Sequence, residues 1–95
     1  MERPWKFVTG TQLDAFAREI AAEMVRLFGI TEDEAEGRIN RAWGNVSEFD
    51  PIVFHRPPEH WAHDMFFGHE SYWWIRDENV REKLGLRRVV PLPYP

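Results

Sequence analysis

Three side chains in one short run, Glu59-His60-Trp61-Ala62-His63-Asp64, have the types and spacing for chemistry: His60, His63 and Asp64. Spacings of three and four put them on one face if the run is helical. Two neutral imidazoles and a carboxylate are donors suited to zinc or iron, and His55 or His69 would supply a further ligand. The same histidines titrate near neutral pH, and Glu59, Asp64 or Glu70 could orient them for acid–base work. A plainer reading competes with both, namely the polar outer face of a half-buried helix. No second ligand pair occurs elsewhere, there is no cysteine, and there is no Gly-x-Ser-x-Gly elbow. The hydroxyl residues Thr9, Thr11, Thr31, Ser47 and Ser71 fall where caps and turns are expected. No catalytic residue is assigned, and the chain reads as a non-enzyme more readily than as an enzyme. The expected cofactor is none, with a divalent metal at His60, His63 and Asp64 as the alternative.

Residues 49–74 hold all four histidines and eight of the fourteen aromatic residues. Such rings fill cores, stack on bases or sugars, or anchor protein partners. Tyr72-Trp73-Trp74 concentrates the question. In a strand, neighbours face opposite ways, so Trp73 and Trp74 would not both be buried. The surface expected to meet a partner comprises His60, His63, Phe67, Trp73 and Trp74.

Net charge is −4 and unevenly spread: residues 14–79 sum to −8, and residues 80–95 to +3. An acidic body repels phosphates over most of its surface. Nucleic-acid binding would have to use the basic end, Arg81, Lys83, Arg87 and Arg88, with Trp73 or Trp74 stacking a base. The run from Met24 to Trp43 imitates a helix-turn-helix. Its second helix, however, opens on Glu32, Asp33, Glu34 and Glu36, and Arg38 stands where that motif needs an apolar residue. Nucleic acid is therefore an unfavoured partner. The tail Pro91-Leu92-Pro93-Tyr94-Pro95 resembles a polyproline ligand, but packing on the chain's own aromatic surface is the favoured reading.

These groups need elements to position them. Leu13, Phe16, Ala17, Ile20, Met24, Leu27 and Phe28 share an arc at the helical period, which predicts a helix over 11–28 closed by Gly29. Thr31 to Glu34 is a capping box, so a second helix should run to about Trp43, with Gly44 closing it. Its apolar stripe is narrow: Ala35, Ile39, Ala42 and Trp43. Gly37 lies on the polar side and should weaken the helix by about 1 kcal/mol relative to alanine. Pro58 suits the first turn of a third helix, 58–67, closed by Gly68. Trp61, Ala62, Met65 and Phe66 form its apolar face, with His60, His63, Asp64 and Phe67 on the other. Ile52 to Phe54 reads as a short strand or an extended lid, and Ser71 to Ile75 as a short strand, with a helical continuation as the alternative. Asp77 caps a short helix over 78–84. Residues 1–10 and 87–95 are expected to be extended.

Ninety-five residues predict one domain, 1–95, and 43% hydrophobic with 15% aromatic content excludes disorder throughout. The expected fold is mainly α, a compact arrangement of three or four helices with short extended segments. An α+β domain pairing the two short strands is the runner-up. The expected core is Leu13, Phe16, Ile20, Met24, Leu27, Ile39, Trp43, Trp61, Met65 and Phe66. No run of about 18 apolar residues exists, so no membrane span is expected. The opening MERPWKFVTG lacks the apolar stretch of a secretory leader, and without cysteine a reducing, cytoplasmic setting is expected.

The run Arg38-Ile39-Asn40-Arg41-Ala42-Trp43-Gly44, the segment from Glu59 to Trp74 and the terminal Tyr94-Pro95 together resemble small uncharacterised bacterial proteins. The resemblance covers about residues 30–95 and implies no particular activity. Some small acidic bacterial proteins of this size are inhibitors or immunity partners of toxins, a class-level analogy. The functional expectation is a small non-enzymatic protein that binds another protein or itself. The alternatives are a histidine metal site, or nucleic-acid contact through the basic end.

Overall fold

The computed structural model of the chain describes residues 5, 7, 10–44 and 51–94, the side chain of residue 52 excepted. Four helices follow in order: α1 (Thr11–Phe28), α2 (Glu32–Trp43), α3 (Pro58–Phe67) and α4 (Glu78–Lys83). Short 3₁₀ turns at Pro51–His55 and His69–Ser71 flank α3. The fold is mainly α, as expected, and no strand forms among the described residues. The two segments read as short strands differ. Pro51 opens a 3₁₀ turn through His55, and residues 72–75 turn rather than extend. Proline presets the φ that such a turn needs.

α1 packs against both α3 and α2, because its apolar arc is wide enough to meet two neighbours. Leu13, Ala17, Ile20, Ala21 and Met24 are buried along it. Gly29 takes the left-handed conformation, φ 66°, and donates to the Val25 carbonyl at 3.0 Å, which closes the helix. The Thr31 hydroxyl accepts from the Glu34 amide at 3.1 Å and starts α2. α2 buries Ala35, Ile39 and Trp43, while Ala42 is exposed. In α3, Ala62, Met65 and Phe66 are buried and Trp61 is half-buried.

The expected core residues are buried or pack against the buried cluster, Phe16, Leu27 and Trp61 in the second way. Trp5, Phe7 and Val53 join them. The Trp5 indole donates to Asp14 at 2.7 Å, so an aromatic from the leading segment seals the start of α1. Most of the expected extended segment 1–10 lies outside the described residues.

Arg38 is the unexpected core member, at 4% exposure. Its guanidinium donates to Glu34 at 2.9 Å and lies over the rings of Phe66 and Tyr94, at 4.7 and 5.3 Å from their centroids. Tyr94 belongs to the C-terminal tail, which folds back onto α2 and α3. The Leu92 amide donates to the Phe66 carbonyl at 2.8 Å, and Arg41 donates to the Pro93 carbonyl at 2.6 Å. Gly37 now has a reason. A Cβ there would overlap the Tyr94 hydroxyl. Its lack of a side chain lets the tail lie flat on α2.

None of the helices among the described residues is long and apolar enough to cross a membrane.

Candidate binding groove

α3 positions the candidate residues through its period. His60, His63, Asp64 and Phe67 fall on one side of it, as expected from their spacing. They are half-buried rather than open to solvent. What covers them is Trp73. Gly68, at φ 88°, turns the chain sharply after α3, and a 3₁₀ turn over 69–71 and a left-handed Tyr72, φ 52°, complete the reversal. Trp73 then lands back on the α3 face. Its indole donates to Asp64 at 2.9 Å, stacks on the His63 ring at 4.9 Å and meets the His60 ring at 5.0 Å. Trp74 projects away, 42% exposed, with His69 and Tyr72 beside it. The two tryptophans do diverge, but a turn separates them rather than the alternation of a strand.

Three of the four imidazoles, those of His60, His63 and His69, already serve the chain. His63 Nδ1 lies 2.8 Å from the Glu59 carbonyl, so it must carry the proton and donate. His60 Nε2 lies 3.1 Å from the Arg56 guanidinium, which can only donate, so that nitrogen accepts. His69 Nδ1 donates to Asp64 at 3.1 Å, on the same oxygen that receives the Trp73 indole. Burial, and then the neighbouring Arg56 charge, lower the pKa of His60 below the ordinary imidazole value. Of the residues expected to hold a metal, His60 has its Nε2 lone pair engaged and Asp64 takes two N–H donors on its Oδ1. Among the described residues no three His, Cys, Asp or Glu side chains converge as a metal centre would require. The hydroxyl of Ser71 donates to the Gly68 carbonyl at 2.6 Å and serves the turn.

Arg81 holds the reversal together. This side chain, 8% exposed, donates to four carbonyls: Tyr72 at 2.7 Å, Ile75 at 3.0 Å, Ser71 at 2.9 Å and Arg87 at 2.6 Å. None of the ion pairs among the described residues includes it. The guanidinium fork suits this role because it presents several donors in one plane. Sequence reasoning placed Arg81 with Lys83, Arg87 and Arg88 as a phosphate contact, and the structure withdraws it from that set. Nothing in the local sequence separates a buried arginine from its exposed neighbours.

Between the α3 face and the α4 limb lies an open groove of about 790 Å³. His63, Phe67 and Trp73 form one wall, so three of the five expected partner-binding residues line it. His60 and Trp74 flank Trp73 outside the lining. The opposite wall carries Arg76, Arg81, Arg87 and Arg88 with Leu86 and Val89, residues that no spacing argument joins to the histidines. No family model, curated protein or solved structure matches the chain.

Proposed function

We propose that this protein works by binding another protein, and that the groove between α3 and α4 with the neighbouring Trp74 receives the partner. One observation carries the reading. After the helices have buried their core, aromatic residues still line an open groove, and Tyr72 and Trp74 stay 44% and 42% exposed beside it. Central aromatics with arginines around them are the composition of binding hot spots. His60, His63 and His69 each spend one ring nitrogen on a hydrogen bond within the chain, which supports a structural part for them beside the groove. An inhibitor-type partner protein is the version nearest to the class analogy.

Photocrosslinking tests the proposal. A benzophenone side chain placed at Arg88, on the groove rim, should capture a defined partner in lysate of the native host. The same group at Glu19, on the exposed side of α1, should not. Equal capture from both positions, or none from position 88, rejects the groove as the binding face. An adduct with a second copy of this chain would make the partner the protein itself.

A further inference from the structure

We infer that the partner segment seated in this groove is a short acidic stretch of polypeptide with apolar side chains between its carboxylates. The inference rests on the groove being the binding face. Arg76, Arg81, Arg87 and Arg88 line it, the Arg81 fork already spent on carbonyls of the chain, against Glu78 and Glu82. Arg81 is buried, and its four partners are neutral carbonyls. Its positive charge therefore enters no ion pair among the described residues, and burial shields it from salt more than it would a surface charge. Arg76, Arg87 and Arg88 are exposed, and no ion pair among the described residues holds them. Free guanidinium forks on a groove wall match carboxylates in shape and charge.

Two further observations choose among anions. The body over residues 14–79 sums to −8, which favours a short anion confined to the groove and repels a long polyanion. Trp73 is also a crowded platform for base stacking: His63 lies stacked on it, and the rings of His60 and Trp74 pack against it at steep angles. The apolar part of the lining, Phe67, Ile75, Leu86 and Val89, instead suits aliphatic or aromatic side chains between carboxylates.

The probes are three synthetic peptides: one alternating glutamate with leucine, and its glutamine and lysine counterparts. Amide and indole NMR shifts of the full chain report both affinity and place. The glutamate peptide should shift the Trp73 indole N–H and the amides from Arg87 to Val89, and should weaken as salt rises. The double variant Arg87→Glu/Arg88→Glu, whose own spectrum reports whether it is folded, should weaken this peptide by about tenfold or more. If the glutamine peptide shifts the same signals equally, the acidic preference is wrong while the groove remains the binding face. If none of the peptides touches the groove, the inference fails, and the crosslinking result separately decides whether the groove binds anything. If the signals instead respond only to protein concentration, and light scattering shows association, the occupant is a second copy and the inference is overturned.

Discussion

Replacing Arg81 by alanine should unhook the C-terminal limb while leaving the rest of the fold in place. The side chain makes four hydrogen bonds to carbonyls from residues 71, 72, 75 and 87. A hydrogen bond to a charged group contributes about 1.5–3 kcal/mol in place. The full multiple does not apply, because these carbonyls lie near the surface and water replaces part of each bond once the side chain is gone. A loss of about 3 kcal/mol is expected, near the lower end for removing one member of a buried charged network. The loss should stay local. α4 has six residues, too few to hold a helix alone, and it packs extensively on none of the other helices. Hydrogen exchange reads this directly, since the Ile75 amide bonds to the Tyr72 carbonyl and the Leu86 amide to the Arg81 carbonyl. Both should exchange about a hundredfold faster in the variant, while the amides of α1 hold their rates. Arg81→Lys should fall between, because an ammonium has three donors and no planar fork. Unchanged exchange at residues 75 and 86 would refute the reasoning. A parallel rise throughout α1 would show that Arg81 supports the whole fold, which the packing does not predict.

Gly37→Ala should gain helix propensity and lose the tail contact. Net stability should then change by less than about 1 kcal/mol, whereas in a Tyr94→Ala background the same change should stabilise by about 1 kcal/mol. Urea melts of the four proteins check this, and identical effects in both backgrounds would remove the Tyr94 contact from the explanation. The neighbouring tryptophans should separate sharply: Trp73→Ala costs about 3 kcal/mol and Trp74→Ala less than about 1 kcal/mol, with the reverse order in denaturant melts contradicting the fold of this turn. His60 titrates below the ordinary imidazole range because burial, then Arg56, disfavours its charged form. As pH falls through about 6.5 the unfolded chain takes up that proton first, so stability is lost from there down toward the folded value. His60→Gln should flatten this slope in denaturant melts, and equal slopes would dismiss His60 as its source. Arg38→Ala should cost about 3 kcal/mol, since it strips a buried cation from Glu34 and two rings, and Glu34→Gln should cost less because that carboxylate is partly solvated.

Local patterns alone determined the helices. The arc from Leu13 to Phe28, the Thr31 capping box, Pro58 with Gly68, and Asp77 placed four helices within a residue or so of where they stand. Periodicity and capping are short-range physics, written in neighbouring residues. The same period put His60, His63 and Asp64 together on α3. What lies on that face was decided only by the tertiary structure. A positive φ at Tyr72 brings Trp73 back over the histidines and sends Trp74 outward, and no residue type announces that turn. Ile52 to Phe54 misled as a strand because a short apolar run does not fix a period, and Pro51 favoured a 3₁₀ turn instead. The arginines show the limit most plainly. Arg38, Arg41, Arg81, Arg87 and Arg88 are alike in sequence, yet Arg38 fills a core position, Arg41 holds the tail and Arg81 gathers four carbonyls, while Arg87 and Arg88 face the groove. A guanidinium's role depends on which carbonyls, rings and carboxylates the folded chain brings within its reach, and those partners come from residues far away along the sequence.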